Sequence, residues 1–223
     1  MGQNGPQVVV FDLDGTLLDT APDLIAAVNH IAHEAGVEAV AVDKLRPVVS
    51  FGGREMLRAA LEPQGVACDD AALDHFFSRF AAYYQANISQ RTKPFPGLVE
   101  ALDQLQARGC KLAVCTNKLE GLTHPLLQAM GMHERFAAIT GRDTFPVCKP
   151  DPRHLLGTIA RADCDPARAV MVGDSNTDLK TANSAGVPFV GVTFGYTDVP
   201  MRDLGPDALI SHYDQFQDAL AQL

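Results

Sequence analysis

The cysteines of this sequence lack any spacing typical of disulfides or metal sites. The count is five, an odd number, and no Cys-x-x-Cys or Cys/His pattern of the zinc-binding kind is present. We therefore expect reduced thiols, as in a protein of the cytoplasm. The five residues are Cys68, Cys110, Cys115, Cys148 and Cys164.

The sequence also lacks a net positive charge and long apolar runs. The formal net charge is −9 at pH 7, so the chain as a whole has no electrostatic reason to bind nucleic acid or an anionic membrane. No apolar run approaches the roughly 20 residues of a membrane span, and residues 1–6 have no signal-peptide character. We expect a cytoplasmic monomer or homodimer that binds neither nucleic acid nor membrane. Any phosphorylated substrate must be attracted by local positive charge.

A valine-rich run near the amino terminus organises the rest of the chain. Residues 8–11 are all apolar, which indicates a strand buried on both faces of a parallel sheet. Asp12 and Asp14 follow directly, and Gly15 supplies turn chemistry. Open α/β sheets bind ligands at this end of a central strand, and two close carboxylates repel each other unless a cation or a shared proton intervenes. One interpretation is a divalent-metal site that carries a nucleophile; the other is a strand that ends in a solvated polar turn.

Helical patterns fill the stretch after this strand. Apolar residues at helical spacing predict helices over about 22–35, 42–49, 55–61 and 69–87. A short loop is predicted over 50–54, and no strand is predicted between about 19 and 91. We therefore predict a helical domain over 19–93, inserted into a core that is formed by residues 1–18 and 94–223.

Helices and strands alternate in the rest of the chain. The breaker sequence Pro-Phe-Pro-Gly opens this part at residue 94. Later apolar runs predict strands over 111–115, 136–140, 169–172 and 188–192. Strand–helix alternation of this kind is typical of an α/β fold with a doubly wound parallel sheet.

Polar side chains follow several of these strands and meet at one sheet edge if the strands are parallel. The residues after the second core strand, Thr116 and Asn117, precede a predicted helix whose N–H groups suit a phosphate. Asp174 and Asp178 open another helix, and Lys149 lies in a proline-flanked loop. Taken singly, these residues are also explained as helix caps, dipole-favoured helix starters and a surface lysine. Their shared edge with Asp12 and Asp14 favours a site.

Four segments together resemble the motifs of the haloacid dehalogenase-like hydrolase superfamily. They are FDLDGTL at 11–17, Thr116 after an apolar strand, Lys149-Pro150, and GDSNTD at 173–178. The resemblance implies a Rossmann-type core, and it identifies the helical insertion with the C1-type cap of that superfamily. Within it, the chain resembles phosphoglycolate phosphatases at residues 21–24, 27–29, 115–118 and 191–196.

The resemblance implies a role for each core residue in phosphoryl transfer. Asp12 is the expected nucleophile, which forms an aspartyl-phosphate, and Asp14 is the expected general acid and base. Thr116, Asn117 and Lys149 are expected to hold the phosphate oxygens. The expected Mg²⁺ ligands are Asp12, the backbone carbonyl of Asp14, and Asp174, with Asp178 in support.

The predicted loop over 50–54 is the expected contact between cap and substrate. Gly53 permits close backbone approach, and Arg54 is able to pair with a carboxylate such as that of glycolate. The alternative is that Gly53 and Arg54 only begin the following helix.

The expected function is Mg²⁺-dependent hydrolysis of a small phosphomonoester, 2-phosphoglycolate first among them. Another substrate in the same superfamily, such as a sugar phosphate or pyrophosphate, is a second hypothesis, as is β-phosphoglucomutase-like chemistry. A non-catalytic phosphate-binding or regulatory protein on the same fold is a third.

Overall fold

The computed structural model describes residues 5–223; residues 1–4, part of the amino-terminal segment considered above, lie outside it. In chain order the strands are β1 (Val8–Phe11), β2 (Leu18–Asp19), β3 (Lys93–Pro94), β4 (Lys111–Cys115), β5 (Ala138–Thr140), β6 (Ala169–Gly173), β7 (Phe189–Val192) and β8 (Ala208–Ile210). Six of them form a parallel sheet in the order β5-β4-β1-β6-β7-β8, and β2 pairs with β3 in a separate antiparallel ladder. The predicted α/β class and parallel sheet are confirmed.

Nine α-helices and several short 3₁₀ turns connect these strands within residues 5–223. The α-helices are α1 (Ala21–Glu34), α2 (Val42–Leu45), α3 (Gly53–Leu61), α4 (Asp70–Ala86), α5 (Leu98–Ala107), α6 (Glu120–Ala129), α7 (Pro152–Arg161), α8 (Asn176–Ala185) and α9 (Phe216–Leu220). No helix in this range combines the length and the apolar character that crossing a bilayer requires.

The strand β1 lies at the centre of the sheet and is buried on both faces. Because side chains alternate along a strand, Val9 and Phe11 pack with α5, α6 and α9, whereas Val8 and Val10 pack with α7 and α8. All four side chains are fully buried. Helices on both faces explain why the run is continuously apolar rather than alternating.

The insertion between β2 and β3 is helical and has its own apolar core. Its two ends are tied together by Asp23 of α1, whose carboxylate accepts hydrogen bonds from the backbone N–H groups of Arg91 and Thr92 and from the Thr92 hydroxyl. The ladder of β2 with β3 lies at the base of the insertion. This ladder is absent from the sequence prediction, because strands of two residues carry no periodicity.

The predicted helix over 42–49 is only partly present. The helix α2 ends at Leu45, and a 3₁₀ helix continues from Arg46 to Phe51. Pro47 accounts for the change, because it has no N–H with which to continue the α-helical bonding. The predicted loop over 50–54 is likewise shorter, since Gly53 and Arg54 form the first turn of α3.

Candidate active site

Functional side chains meet at the carboxyl edge of the sheet. Asp12 follows β1, Thr116 follows β4 and Asp174 follows β6, and β1 pairs with both neighbours in parallel. The strand order reverses at β1, because β4 and β5 lie on one side of it and β6 to β8 lie on the other. Doubly wound sheets bind ligands at such a point. The structure therefore brings together the core residues that the sequence singled out.

Lys149 is a buried ammonium between two carboxylates. Its Nζ lies 2.9 Å from Oδ1 of Asp12 and 2.6 Å from Oδ1 of Asp178. Lys149 is 3% exposed and Asp178 is fully buried. The other oxygen of Asp178 accepts hydrogen bonds from the backbone N–H and the hydroxyl of Ser175, in a capping box at the start of α8. Asp178 thus holds both Lys149 and the beginning of its own helix.

Three carboxylates form a cluster of the kind that binds a metal ion. One oxygen from each of Asp12, Asp174 and Asp178 lies within 4.8 Å of the others. Asp174 is held by the hydroxyl of Thr16 at 3.2 Å and by the backbone N–H of Tyr196 at 2.7 Å. The side chain of Asp14 is not part of this cluster.

The cluster is electrostatically unfavourable in the absence of a cation. Burial raises the pKa of Asp12 to about 6; Lys149 opposes this rise and the neighbouring Asp178 adds to it. Burial, followed by the charges of Asp178 and Asp12, raises the pKa of Asp174 well above its ordinary value. Burial alone would lower the pKa of Lys149, but its two carboxylate partners raise it overall. An additional cation among these carboxylates offsets their repulsion.

Two glycines leave room for Asp174. A Cβ at Gly195 would lie 2.2 Å from Cβ of Asp174, and a Cβ at Gly15 would lie 2.3 Å from its Oδ2. Gly15 also has a φ of 84°, which side-chain-bearing residues rarely adopt. Both positions therefore require glycine for the carboxylate to keep its place.

We expect Gly195→Ala to displace Asp174 and to lower the free energy of unfolding by about 1–3 kcal/mol, the usual cost of overpacking. Urea-induced unfolding measures the change. Gly121→Ala on α6 is the matched control, because a Cβ there meets no atom within 4 Å. We expect the control to be neutral or slightly stabilising. Equal stability of the Gly195 variant and the wild type would contradict the crowding argument.

Thr116 and Asn117 lie in the turn between β4 and α6. The Thr116 hydroxyl accepts a hydrogen bond from the backbone N–H of Lys118 at 3.2 Å, and the Asn117 amide donates to the backbone carbonyl of Lys149 at 2.9 Å. The prediction that a helix follows these residues is confirmed, and α6 begins at Glu120. The contact with Lys149 means that Asn117 fixes the loop that carries the ammonium.

The side chain of Asp14 pairs with a lysine that the sequence reasoning did not assign. The Nζ of Lys118 lies 3.0 Å and 3.1 Å from the two oxygens of Asp14. It also lies 4.5 Å from the centroid of the Tyr84 ring, which belongs to the helical insertion. A lysine two residues after Thr116 is visible in the sequence, but only the fold shows that its side chain is buried against Asp14.

A cavity of about 390 Å³ opens between the sheet edge and the insertion. Core residues form one wall and insertion residues form the other. Its lining includes Asp12, Asp14, Thr116, Asn117, Lys118, Arg142 and Asp174 from the core, and Gly53, Arg54, Met56, Phe77 and Phe80 from the insertion. The site is therefore enclosed from both sides by side chains of the two parts.

The insertion residues Gly53 and Arg54 line this cavity but have partners in the insertion itself. The Arg54 guanidinium is ion-paired with Asp74 and lies 5.4 Å from the Phe77 ring centroid. A Cβ at Gly53 would lie 2.7 Å from the Phe80 ring, so close packing of α3 on α4 is sufficient to require glycine there. Substrate contact by either residue stays a prediction.

Comparison with known proteins agrees with the motifs. The model of the haloacid dehalogenase-like hydrolase family matches residues 9–192. The chain belongs to this family. A phosphoglycolate phosphatase of Agrobacterium fabrum is 46% identical over 96% of this chain and 91% of its own length. A phosphoglycolate phosphatase of Mesorhizobium japonicum is 46% identical over 96% of this chain and 95% of its own length.

Solved structures share the fold of this hydrolase. The crystal structure of a protein from Haemophilus somnus, described as a predicted phosphoglycolate phosphatase, superposes with a TM-score of 0.89 at 26% sequence identity. The match covers 97% of this chain and 99% of the other. The relation therefore includes the helical insertion as well as the sheet.

Proposed function

We propose that this hydrolase is a Mg²⁺-dependent phosphomonoesterase that converts 2-phosphoglycolate to glycolate and phosphate. The observation that carries the proposal is the position of Asp12, which lies in an acidic cluster, next to the Lys149 ammonium and on the wall of a cavity of about 390 Å³. The names of the 46%-identical relatives support the choice of substrate. The modest volume of the cavity suits a small phosphomonoester.

The residues present fit a hard divalent cation. Every ligand atom in the cluster is a carboxylate oxygen, which Mg²⁺ prefers. Burial, and then neighbouring carboxylates, raise the pKa values of Asp12 and Asp174, so a bound cation would stabilise their ionised forms. We assign Asp12, Asp174 and the backbone carbonyl of Asp14 as ligands, with Asp178 in support through Lys149. A bound Mg²⁺ would neutralise charge on the transferred phosphoryl group.

The residues of β1 and the turn after it carry the proposed reaction. Asp12 attacks phosphorus in line, so that a carboxylate–phosphorus bond forms while the ester bond breaks. Asp14 donates a proton to the leaving alkoxide, and then accepts one from the water that hydrolyses the aspartyl-phosphate. Thr116, Asn117 and Lys149 hold the phosphoryl oxygens, and Lys149 supplies the local positive charge that the acidic chain otherwise lacks.

The helical insertion, residues 19–93, acts in this proposal as a cap on a catalytic core of residues 1–18 and 94–223. The cavity is lined from both parts, and the β2–β3 ladder at the base of the insertion is a natural place for a hinge. Gly53 and Arg54 present the cap side of the cavity to the substrate. A closed cap would exclude water while the ester bond is broken.

The proposal is tested by phosphate release from a panel of phosphorylated compounds, measured with Mg²⁺ and with EDTA. The panel contains 2-phosphoglycolate, glucose 6-phosphate, β-glucose 1-phosphate, pyrophosphate and p-nitrophenyl phosphate. We expect Mg²⁺-dependent release with the highest kcat/KM for 2-phosphoglycolate. A higher kcat/KM for another compound would change the assigned substrate but leave the phosphatase assignment in place. If no compound releases phosphate, the phosphatase assignment is contradicted.

A further inference from the structure

Lys118 places a desolvated ammonium next to Asp14 on the wall of the cavity. Its side chain is 5% exposed, and both Asp14 oxygens lie within 3.1 Å of Nζ. The Tyr84 ring of the insertion covers the ammonium from the other part of the molecule. An ammonium has three N–H donors, so two hydrogen bonds to Asp14 leave one donor for another acceptor.

The chemistry of the proposed substrate places its carboxylate near this position. Asp14 must reach the leaving oxygen in order to protonate it. In 2-phosphoglycolate one methylene separates that oxygen from the carboxyl carbon, so by ordinary bond lengths the carboxylate oxygens lie about 3 Å from it. The group that recognises the carboxylate must therefore lie beside Asp14, within a few ångströms of its side chain.

The other cations of the site are less suitable. Lys149 is engaged by Asp12 and Asp178 on the phosphoryl side. Arg54 lies on the insertion, is ion-paired with Asp74 and has a side chain that is 43% exposed. Arg142, which also lines the cavity, is exposed as well. Among the residues that the structure describes, only Lys118 forms an ion pair with Asp14.

We propose that Lys118 binds the substrate carboxylate and so sets the preference for an α-carboxylate next to the phosphoryl ester. This inference rests on the proposed function. It assigns the carboxylate to the core residue Lys118, rather than to Arg54 as the sequence suggested. A buried ammonium discriminates strongly, because a neutral group in place of the carboxylate leaves the ammonium without its second partner.

The test compares two substrates that differ only at the carboxylate. We measure kcat/KM for 2-phosphoglycolate and for 2-hydroxyethyl phosphate, in the wild type and in Lys118→Met, and form the ratio of the two values. Any general effect of the substitution on Asp14 changes both values equally and cancels. We expect the ratio to fall about 10- to 100-fold, as for loss of a charged hydrogen bond.

Arg54→Met is the matched comparison, because it removes the cation on the insertion side of the same cavity. We expect its ratio to stay within about threefold of the wild type, given that exposed ion pairs contribute little. Lys118→Arg keeps the charge, so the ratio should fall less in this variant than in Lys118→Met. If the methionine variant does not fold, the ratio is measured in the arginine variant instead.

Two different results would overturn the proposal. A ratio unchanged in both Lys118 variants, with wild-type hydrolysis intact, would remove Lys118 from carboxylate recognition and leave the proposed function standing. A wild type that releases no phosphate from either compound would overturn the proposed function, and this assignment with it.

Discussion

An Asp12→Asn variant is expected to fold normally and to lose turnover by a factor on the order of 10⁴ or more, as when a nucleophile is removed. The amide has nearly the same shape as the carboxylate but does not attack phosphorus. Lys149 keeps its contact with Asp178 in the variant, so no buried charge is left alone. Single-turnover and steady-state phosphate release measure the loss.

The stability of this variant distinguishes loss of chemistry from loss of fold. Burial raises the pKa of Asp12 to about 6, so its ionised form at pH 7 is less stable in the folded protein than in the unfolded chain. The neutral amide removes that cost. In EDTA we expect the variant to unfold at the same temperature as the wild type, or above it. Near wild-type turnover in a folded variant would contradict the nucleophile assignment.

Sequence patterns predicted the sheet edge well because the relevant signals are local. A buried central strand is marked by the continuous apolar run 8–11, and Asp12 and Asp14 follow at once. Parallel pairing then makes separate strand ends converge, as the ladders of β1 with β4 and β6 show. The fold class, the bounds of the first strand and the convergence of the polar strand ends all follow from these local patterns and from parallel pairing.

Side-chain partners were not predictable in this way, since they depend on tertiary packing. Lys118 follows Thr116-Asn117 in the sequence, but its burial between Asp14 and the Tyr84 ring needs α4 folded over the sheet edge. Gly53 was predicted to allow a substrate to approach, whereas in the structure the Phe80 ring of α4 approaches it. Both contacts join segments far apart in the chain.

Short elements escaped prediction for a different reason. The strands β2 and β3 have two residues each, which is too few for a periodic pattern to be recognised. The ladder of β2 with β3 joins residues 18 and 94, so neither local sequence predicts the pairing. The site depends on this ladder, because it lies at the base of the insertion that covers the cavity.

A Lys149→Met variant is expected to lose both activity and stability, with the free energy of unfolding in EDTA lowered by about 3–5 kcal/mol, as when one partner of a buried ion pair is removed. The ammonium is 3% exposed and lies between Asp12 and Asp178. Without it, the carboxylates of the acidic cluster are left to repel one another. Lys180→Met is the control: its side chain is exposed on α8, so we expect a loss below about 1 kcal/mol.

Metal and pH dependence identify the cause of this instability. Mg²⁺ should restore part of the lost stability, because a cation that binds the folded state replaces the missing positive charge. Lowering the pH from 7 to 5 should also reduce the difference in the free energy of unfolding between the variant and the wild type. Lys149 lowers the pKa of Asp12, so its removal raises that pKa further and lets the carboxylate take up a proton more readily as the pH falls. If neither Mg²⁺ nor pH changes this difference in the free energy of unfolding, Lys149 stabilises the fold by packing, and charge repulsion in the acidic cluster contributes little.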